Sequence, residues 1–387
     1  MIIRFFTHLK KHTHYLIQLV EFLFFPLFLK IITRDKKSIK SVKKKYNLIL
    51  RSDAIGDYIL SLDAIKTLIY YSNEDTILVV NENLIGFINE LGFNVKTIGF
   101  NREKFILNPF YHFKILRKVI SYDYVNVFYL NYSRELLGDE IVKVANGEKK
   151  YGWNGDISRT TKFLTKFGNK IYSQLISSNI ANMHELMRNN EFVAKVLMID
   201  TEKVLRCDFN RIIQNSPTEK ICKVTKYFVV APGSRIKKKM WKIDNFAQVI
   251  NYVYHEYGFI PVLVGAYSEK YLFDELKKKI DDNVPMISKF GSYSFKEIIF
   301  LLKQSEFLLS NDSALVHFAI KAGVKSVTIL GGGQFGRFAP YGSLNNRWVY
   351  HKMECYNCNW ICKYKEFLCI QNIDCKQVIR TIKNVLK

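Results

Sequence analysis

Three short stretches of this chain combine residue types that can do chemistry. In the first, Asp57 follows Gly56 in Ser52-Asp53-Ala54-Ile55-Gly56-Asp57, directly after the apolar run YNLILR at residues 46–51. A carboxylate within hydrogen-bond reach of a substrate hydroxyl serves as a general base, worth roughly 10² to 10⁴ in rate. The plainer use of the same residue is to cap the helix that follows. In the second, Ala231-Pro232-Gly233-Ser234-Arg235 runs through a basic stretch to Lys239-Met240-Trp241. Turn N–H groups beside Ser234, Arg235 and Lys239 suit a pyrophosphate, although a solvated basic turn would look the same. The G-x-x-x-x-G-K-[ST] spacing of a Walker loop is absent. In the third, SNDSALVH at residues 310–317, Asp312 and Ser313 can cap a helix whose N-terminus also favours an anion. His317 lies close to that helix start and reads as a packing or capping residue. Gly331 and Gly332 then open Gly331-Gly332-Gly333-Gln334-Phe335-Gly336, a run able to turn tightly beside a ligand.

Each stretch sits between an apolar run and a helical pattern, so strands and helices must alternate around it. Apolar runs at 46–51, 76–80, 95–98 and 124–129 form one series; those at 227–231, 260–264, 307–310 and 326–330 form a second, with helical patterns at 245–257, 268–280 and 295–304. The polar break Asn215-Ser216-Pro217-Thr218 separates them. The reading is α/β: a first Rossmann-like domain over 45–217 and a second over 218–354, facing a cleft. A chain of 387 residues is long enough for two cores. Open parallel sheets bind ligands beyond the carboxyl ends of their strands, where the three stretches fall.

The formal net charge is +23, from 58 Lys and Arg against 35 Asp and Glu. Such a balance favours anionic partners or surfaces, though the dispersed lysine excess is also what A/T-rich coding produces. No nucleic-acid-binding module is recognisable, so nucleic acid is not an expected partner. Residues 16–32 (LIQLVEFLFFPLFLKII) are apolar and aromatic but interrupted by Glu21, Pro26 and Lys30, and a basic cluster follows from Lys36 to Lys45. A span wants about 20 mainly apolar residues, so this extension, residues 1–44, reads as a shallow membrane-surface anchor or as a helix packed on the protein's own core. No small-residue cleavage site follows it, and no export is expected. Localisation is expected to be cytoplasmic, on the inner face of the membrane.

Five of the seven cysteines crowd between Cys355 and Cys375. Cys355-x2-Cys358-x3-Cys362-x6-Cys369 suits a structural zinc or iron held by four thiolates; reduced thiols or a disulfide are the alternatives. This segment, 355–387, ends in a helical pattern from Lys376 to Leu386.

In their order and spacing, LILRSDAIGDYILSL, APGSRIKKKMWKIDNFAQVI and LLSNDSALVHFAIKAG before VTILGGGQFGRFAPYG resemble glycosyltransferase family 9, the lipopolysaccharide heptosyltransferases. The resemblance implies a GT-B fold and an inverting displacement that needs no metal or other cofactor for catalysis. It implies a nucleotide-sugar donor, ADP-heptose by family default, and a lipopolysaccharide-core or related anionic glycan acceptor. By motif position Asp57 looks like the base, with Gly56 beside it, and Lys239 like the lysine that neutralises the donor phosphates. Ser234 and Arg235 line that loop. Asp312, Ser313, Ala314 and His317 occupy the family's D-[ST]-[GA]-x-x-H run, and Glu269 stands near the ribose. Two positions depart from the pattern: Asp63 replaces a usual proline and Ala314 a usual glycine. A catalytically silent member acting as a membrane-associated scaffold is the rival reading, which intact Asp57 and Lys239 oppose.

Overall fold

The computed structural model describes residues 44–180, 182–209, 226–291 and 293–387. The amphipathic extension and the domain boundary expected at 217/218 lie outside the described residues. Two six-stranded, wholly parallel sheets are built around apolar strands. The first holds β1 (Lys45–Arg51), β2 (Thr76–Asn81), β3 (Lys96–Phe100), β4 (Asp123–Tyr129), β5 (Asn146–Trp153) and β6 (Gln174–Ile176) in the order β3-β2-β1-β4-β5-β6. The second holds β7 (Tyr227–Ala231), β8 (Ile260–Gly265), β9 (Ile287–Phe290), β10 (Leu308–Asn311), β11 (Ser326–Ile329) and β12 (Asn346–Val349) in the order β12-β11-β10-β7-β8-β9. This is the doubly wound arrangement expected of each half.

Strand order reverses between β1 and β4 in one sheet and between β7 and β10 in the other. Crossovers leave in opposite directions from such a point and open a crevice at the strand ends. The three chemical stretches follow β1, β7 and β10, so the topology delivers all of them to the two crevices.

The central strands are buried on both faces and could be read from their apolar runs. Four strands could not. β5 reads NGEKKYGW and has exposed polar residues at its start; β6, β9 and β12 are three or four residues long. Their pairing is set by the strand beside them, as in the register Phe128↔Tyr151, rather than by an apolar pattern of their own. The helix expected at 268–280 is shorter, a single turn at Tyr267–Glu269 followed by Tyr271–Lys277.

One helix joins the halves. Ile55–Tyr70 buries Tyr58, Ile59, Leu60, Leu62, Ile65 and Leu68, because it packs on its own sheet, on the Glu185–Leu197 helix and on the Ala314–Lys321 helix of the other half. Each such side chain is worth about 1.5–3 kcal/mol of burial. Asp63, the residue that departs from the family pattern, lies on this helix and pairs across the junction with Lys321 at 2.5 Å, the two side chains only 8% and 11% exposed. The same Asp63 oxygen accepts the Cys207 N–H at 2.7 Å.

Breaking a buried pair leaves an uncompensated charge. Lys321→Ala should therefore lower unfolding free energy by roughly 3–5 kcal/mol, while Asp63→Leu with Lys321→Met should cost far less. Urea midpoints decide it, and equal losses in both variants would show that the pairing is not what holds the junction.

Candidate active site

Arg51 ends β1 with its side chain almost wholly buried, and a charge there must be paired. Its Nη1 donates to the Leu130 carbonyl at 2.9 Å and to Asn189 at 3.3 Å. Nη2 pairs with Asp53 at 3.2 Å and Glu185 at 3.6 Å, and donates to the Asp57 carbonyl at 3.4 Å. Arg159 adds a second pair to Asp53, at 2.9 Å. Burial alone would raise the Asp53 carboxyl, but Arg51 and Arg159 overcome it and hold Asp53 below the ordinary range, ionised. Burial, followed by the Asp53 charge, pushes Asp57 the other way, up to about 7. Two neighbouring carboxyls are thus driven apart, the arrangement that creates a base usable near neutrality.

Asp57 does not cap its helix. The N-cap is Ala54, with no side-chain bond, and Asp57 stands in the first turn. Gly56 beside it is glycine for a steric reason: a Cβ there would meet the His317 ring at 3.1 Å. His317 comes from the other half and donates or accepts at Nδ1 with the Tyr341 hydroxyl at 2.7 Å. Burial, then His184, lower its pKa to about 3, so the ring is neutral. His317 thus packs the junction of the halves.

Opposite lies a cavity of about 290 Å³. Ser234, Arg235, Glu269, Ser313 and Ala314 all border it, together with Ile55 from the first half. Asn311 ties its two loops together, donating to the Pro232 carbonyl at 2.6 Å and accepting the Trp241 N–H at 3.1 Å. The Glu269 carboxylate accepts the Ala266 N–H at 2.9 Å and lies where a Cβ on Gly233 or Gly265 would be, at 2.3 and 2.7 Å. Ser313 is the N-cap of Ala314–Lys321 but makes no capping bond; its hydroxyl is buried without a hydrogen-bond partner. The expected Ser313 side-chain cap is therefore not formed. Burial lowers the Lys239 pKa, against the pull of Asp312 and Asp57. Burial raises Asp312, against the pull of Lys239.

Gly331 and Gly332 do not border this cavity. A Cβ on Gly331 would strike Ile370 at 2.8 Å and Trp360 at 2.9 Å, and one on Gly332 would strike Tyr356 at 2.2 Å. Glycine at these positions therefore makes room for the Cys-rich segment. The four cysteines of the expected metal site lie in this same segment. Cys355, Cys358, Cys362 and Cys369 border one narrow cavity as free thiols, but among the described residues no three His, Cys, Asp or Glu side chains are grouped to hold an ion. The loop is organised instead by aromatic packing, with Trp360 and Phe367 centroids 5.4 Å apart, and by N–H donation from Gly332 to Cys369 Sγ at 3.4 Å.

Several site residues were not foreseen. Arg337 reaches across the cleft to Asp156 at 3.2 Å, Glu185 at 3.5 Å and the Ser133 hydroxyl at 2.7 Å, and its carbonyl accepts the Glu185 N–H at 2.7 Å. Arg159, Glu185 and Arg337 read as ordinary solvated charges in sequence; only Arg51, ending an apolar strand, carried a signal.

Residues 135–366 match the model of a known family, Glycosyltransferase family 9 (heptosyltransferase). Over 246 residues the chain is 22% identical to lipooligosaccharide heptosyltransferase 2 of Campylobacter jejuni, covering 60% of this chain and 76% of that protein. Its fold is similar to the glycosyl transferase family 9 structure from Veillonella parvula, with a TM-score of 0.70 at 15% identity over 90% of this chain and 99% of that one. It is also similar to E. coli heptosyltransferase WaaC with ADP-2-deoxy-2-fluoro heptose, with a TM-score of 0.65 at 16% identity over 87% and 99% of the two chains. The GT-B expectation is met.

A carboxyl near 7 in the folded chain, against an ordinary value of 3.8, binds its proton more tightly folded than unfolded. Wild-type stability then falls as pH rises from about 4 to 7. Asp57→Asn should melt higher than wild type at pH 8, and the gap should close near pH 4; a constant gap across that window would contradict the burial of this charge.

Proposed function

We propose, from the premise that this chain belongs to glycosyltransferase family 9, that it transfers a heptose from an ADP-linked donor to a lipopolysaccharide-core or related cell-envelope glycan. The observation that carries the reading is Asp57, pushed up to about 7 and electrostatically attracting Lys239, in a fold whose Ser234–Glu269–Ala314 loops line a cavity that Ile55 of the first half also borders. The donor in the E. coli WaaC structure, ADP-2-deoxy-2-fluoro heptose, belongs to the class this reading assigns.

In the proposed step the Asp57 carboxylate takes the proton of an acceptor hydroxyl. The freed oxygen attacks the anomeric carbon from the side opposite the diphosphate. The bond to the diphosphate breaks, the configuration inverts, and charge accumulates on the departing ADP. Lys239, Arg235 and the turn N–H groups answer that charge in a partly desolvated site, where such interactions count for more than in water. The reading assigns no step to a catalytic metal. Glu269 suits the ribose hydroxyls, since a carboxylate accepts from both.

For the acceptor we infer a second cavity of about 390 Å³, bordered by Tyr132, Asp156, Arg188 and Arg337. Arg188 stacks on Tyr132 at 3.7 Å from the ring centroid, and both guanidiniums suit an acidic sugar or phosphate. The net charge of +23 and the apolar run at 16–32 support work as a peripheral protein at the inner face of the cytoplasmic membrane. Among the described residues no helix is long and apolar enough to cross a membrane.

Donor screening tests the reading. With ADP-, GDP- and UDP-sugars and a lipooligosaccharide-core acceptor, nucleotide release should depend on the acceptor and favour the ADP-heptose; Asp57→Ala should lower kcat/KM by roughly 10²–10⁴. Binding without release across all acceptors would favour the scaffold role instead. The pH profile is a separate check: kcat/KM should climb about tenfold per pH unit below 7 and level off above it, and a flat profile from pH 5 to 8 would remove Asp57 as the base.

A further inference from the structure

Among the described residues no carboxylate forms an ion pair with Lys239, although Asp312 and Asp57 attract it, and its ammonium is not free. It sits 3.6 Å from the centroid of the Trp360 ring. Trp360 belongs to the Cys-rich segment, far from Lys239 in sequence and outside every motif that carries the family resemblance. We infer that Trp360 is a positioning residue for Lys239, and that the Cys-rich segment serves as the support that aims this lysine at the donor diphosphate. The inference rests on the donor reading of Lys239.

Three independent features converge on the indole. First, its backbone is unusual: Trp360 has φ of 63°, and Asn357 and Asn359 in the same loop have φ of 63° and 48°. A bulky residue in the left-handed region costs free energy and persists only where its surroundings impose it. Second, the surroundings do impose it. The Asn357 N–H donates to the Gly332 carbonyl at 2.7 Å and the Asn359 N–H to the Gly333 carbonyl at 2.8 Å, while the Trp360 Nε1–H points toward Gln334 Oε1 at 3.4 Å. Third, the glycine run is shaped for the ring: a Cβ on Gly333 would fall 2.3 Å from the indole. A residue fixed this tightly, at this strain, ends with its face on Lys239, a lysine that both Asp312 and Asp57 attract.

The chemistry of the contact suits the task. A ring face attracts the cation through its quadrupole and takes up none of its N–H donors in conventional hydrogen bonds. A carboxylate in the same place would hold the ammonium by those donors and would have to be displaced by the phosphates. The indole leaves the three N–H groups available while restricting where the flexible stem carries them, and less side-chain freedom remains to be lost when the diphosphate binds.

A double-mutant cycle on the full-length protein tests this, read first by calorimetric binding of ADP and then by turnover of ADP-heptose. Trp360→Leu, which keeps apolar bulk against the glycine run but has no ring, should weaken ADP binding and lower kcat/KM by about five- to tenfold. Trp360→Phe should recover most of both. On a Lys239→Ala background Trp360→Leu should cause no further loss. The same loss on both backgrounds, or a Phe variant as poor as Leu, would overturn the inference. Because the cycle is read from ADP binding as well, coupling without sugar turnover would support the Trp360 role while removing the transferase reading, and turnover without coupling would do the reverse.

Discussion

A single buried guanidinium organises the first half of this protein. Arg51 ends the strand at the reversal point of the first sheet, and the interior around it supplies no water to solvate its charge. Asp53, Glu185 and the Leu130 carbonyl answer it; in turn, Arg51 with Arg159 keeps Asp53 ionised. The ionised Asp53 is one reason Asp57 is not ionised at low pH. The Asp57 carboxyl therefore owes its raised pKa first to burial and then to the ionised Asp53, whose own state depends on Arg51. Arg337 extends that chain to the second half through the shared partner Glu185.

The same economy governs the junction. The Ile55–Tyr70 helix carries the proposed base at its first turn, the Asp63 ion pair in its middle and much of the inter-half apolar contact along its length. Gly56 lets His317 approach where a side chain would push it away. Positioning the base and joining the halves are thus one structural problem, solved on one helix. Asp63 departs from the family pattern at a site where the departure brings a cross-half charge pair.

The cavity of the second half is organised by bonds between side chains and backbone instead. Asn311 fixes the loop after β7 to the end of β10, and glycine at 233 and 265 makes room for the Glu269 carboxylate. The Cys-rich segment closes the far side by packing Tyr356 and Trp360 onto Gly332 and Gly333. Its cysteines mark the loop, but its aromatic rings do the packing.

The sequence by itself determined the α/β class and two series of strands, because apolar runs buried on both faces announce themselves without neighbours. It also located the three loops at strand ends and offered Asp57, Lys239 and the Asp312–Ala314 run there as candidates, with Glu269 added by the family resemblance. What only the tertiary structure decided was meaning that depends on a partner distant in the chain. β5 is a strand because β4 offers it a ladder, not because NGEKKYGW asks to be one. Asp57 is a carboxyl near neutrality because burial and then the Asp53 charge raise it against the pull of Arg51, and it is not a helix cap because Ala54 holds that position. Gly331 and Gly332 face rings from residues 356 and 360, and the cysteines border a cavity in which no ion-holding group is found among the described residues. Burial and charge pairing are properties of the folded neighbourhood, and a lone chain position carries no record of which neighbour it will meet.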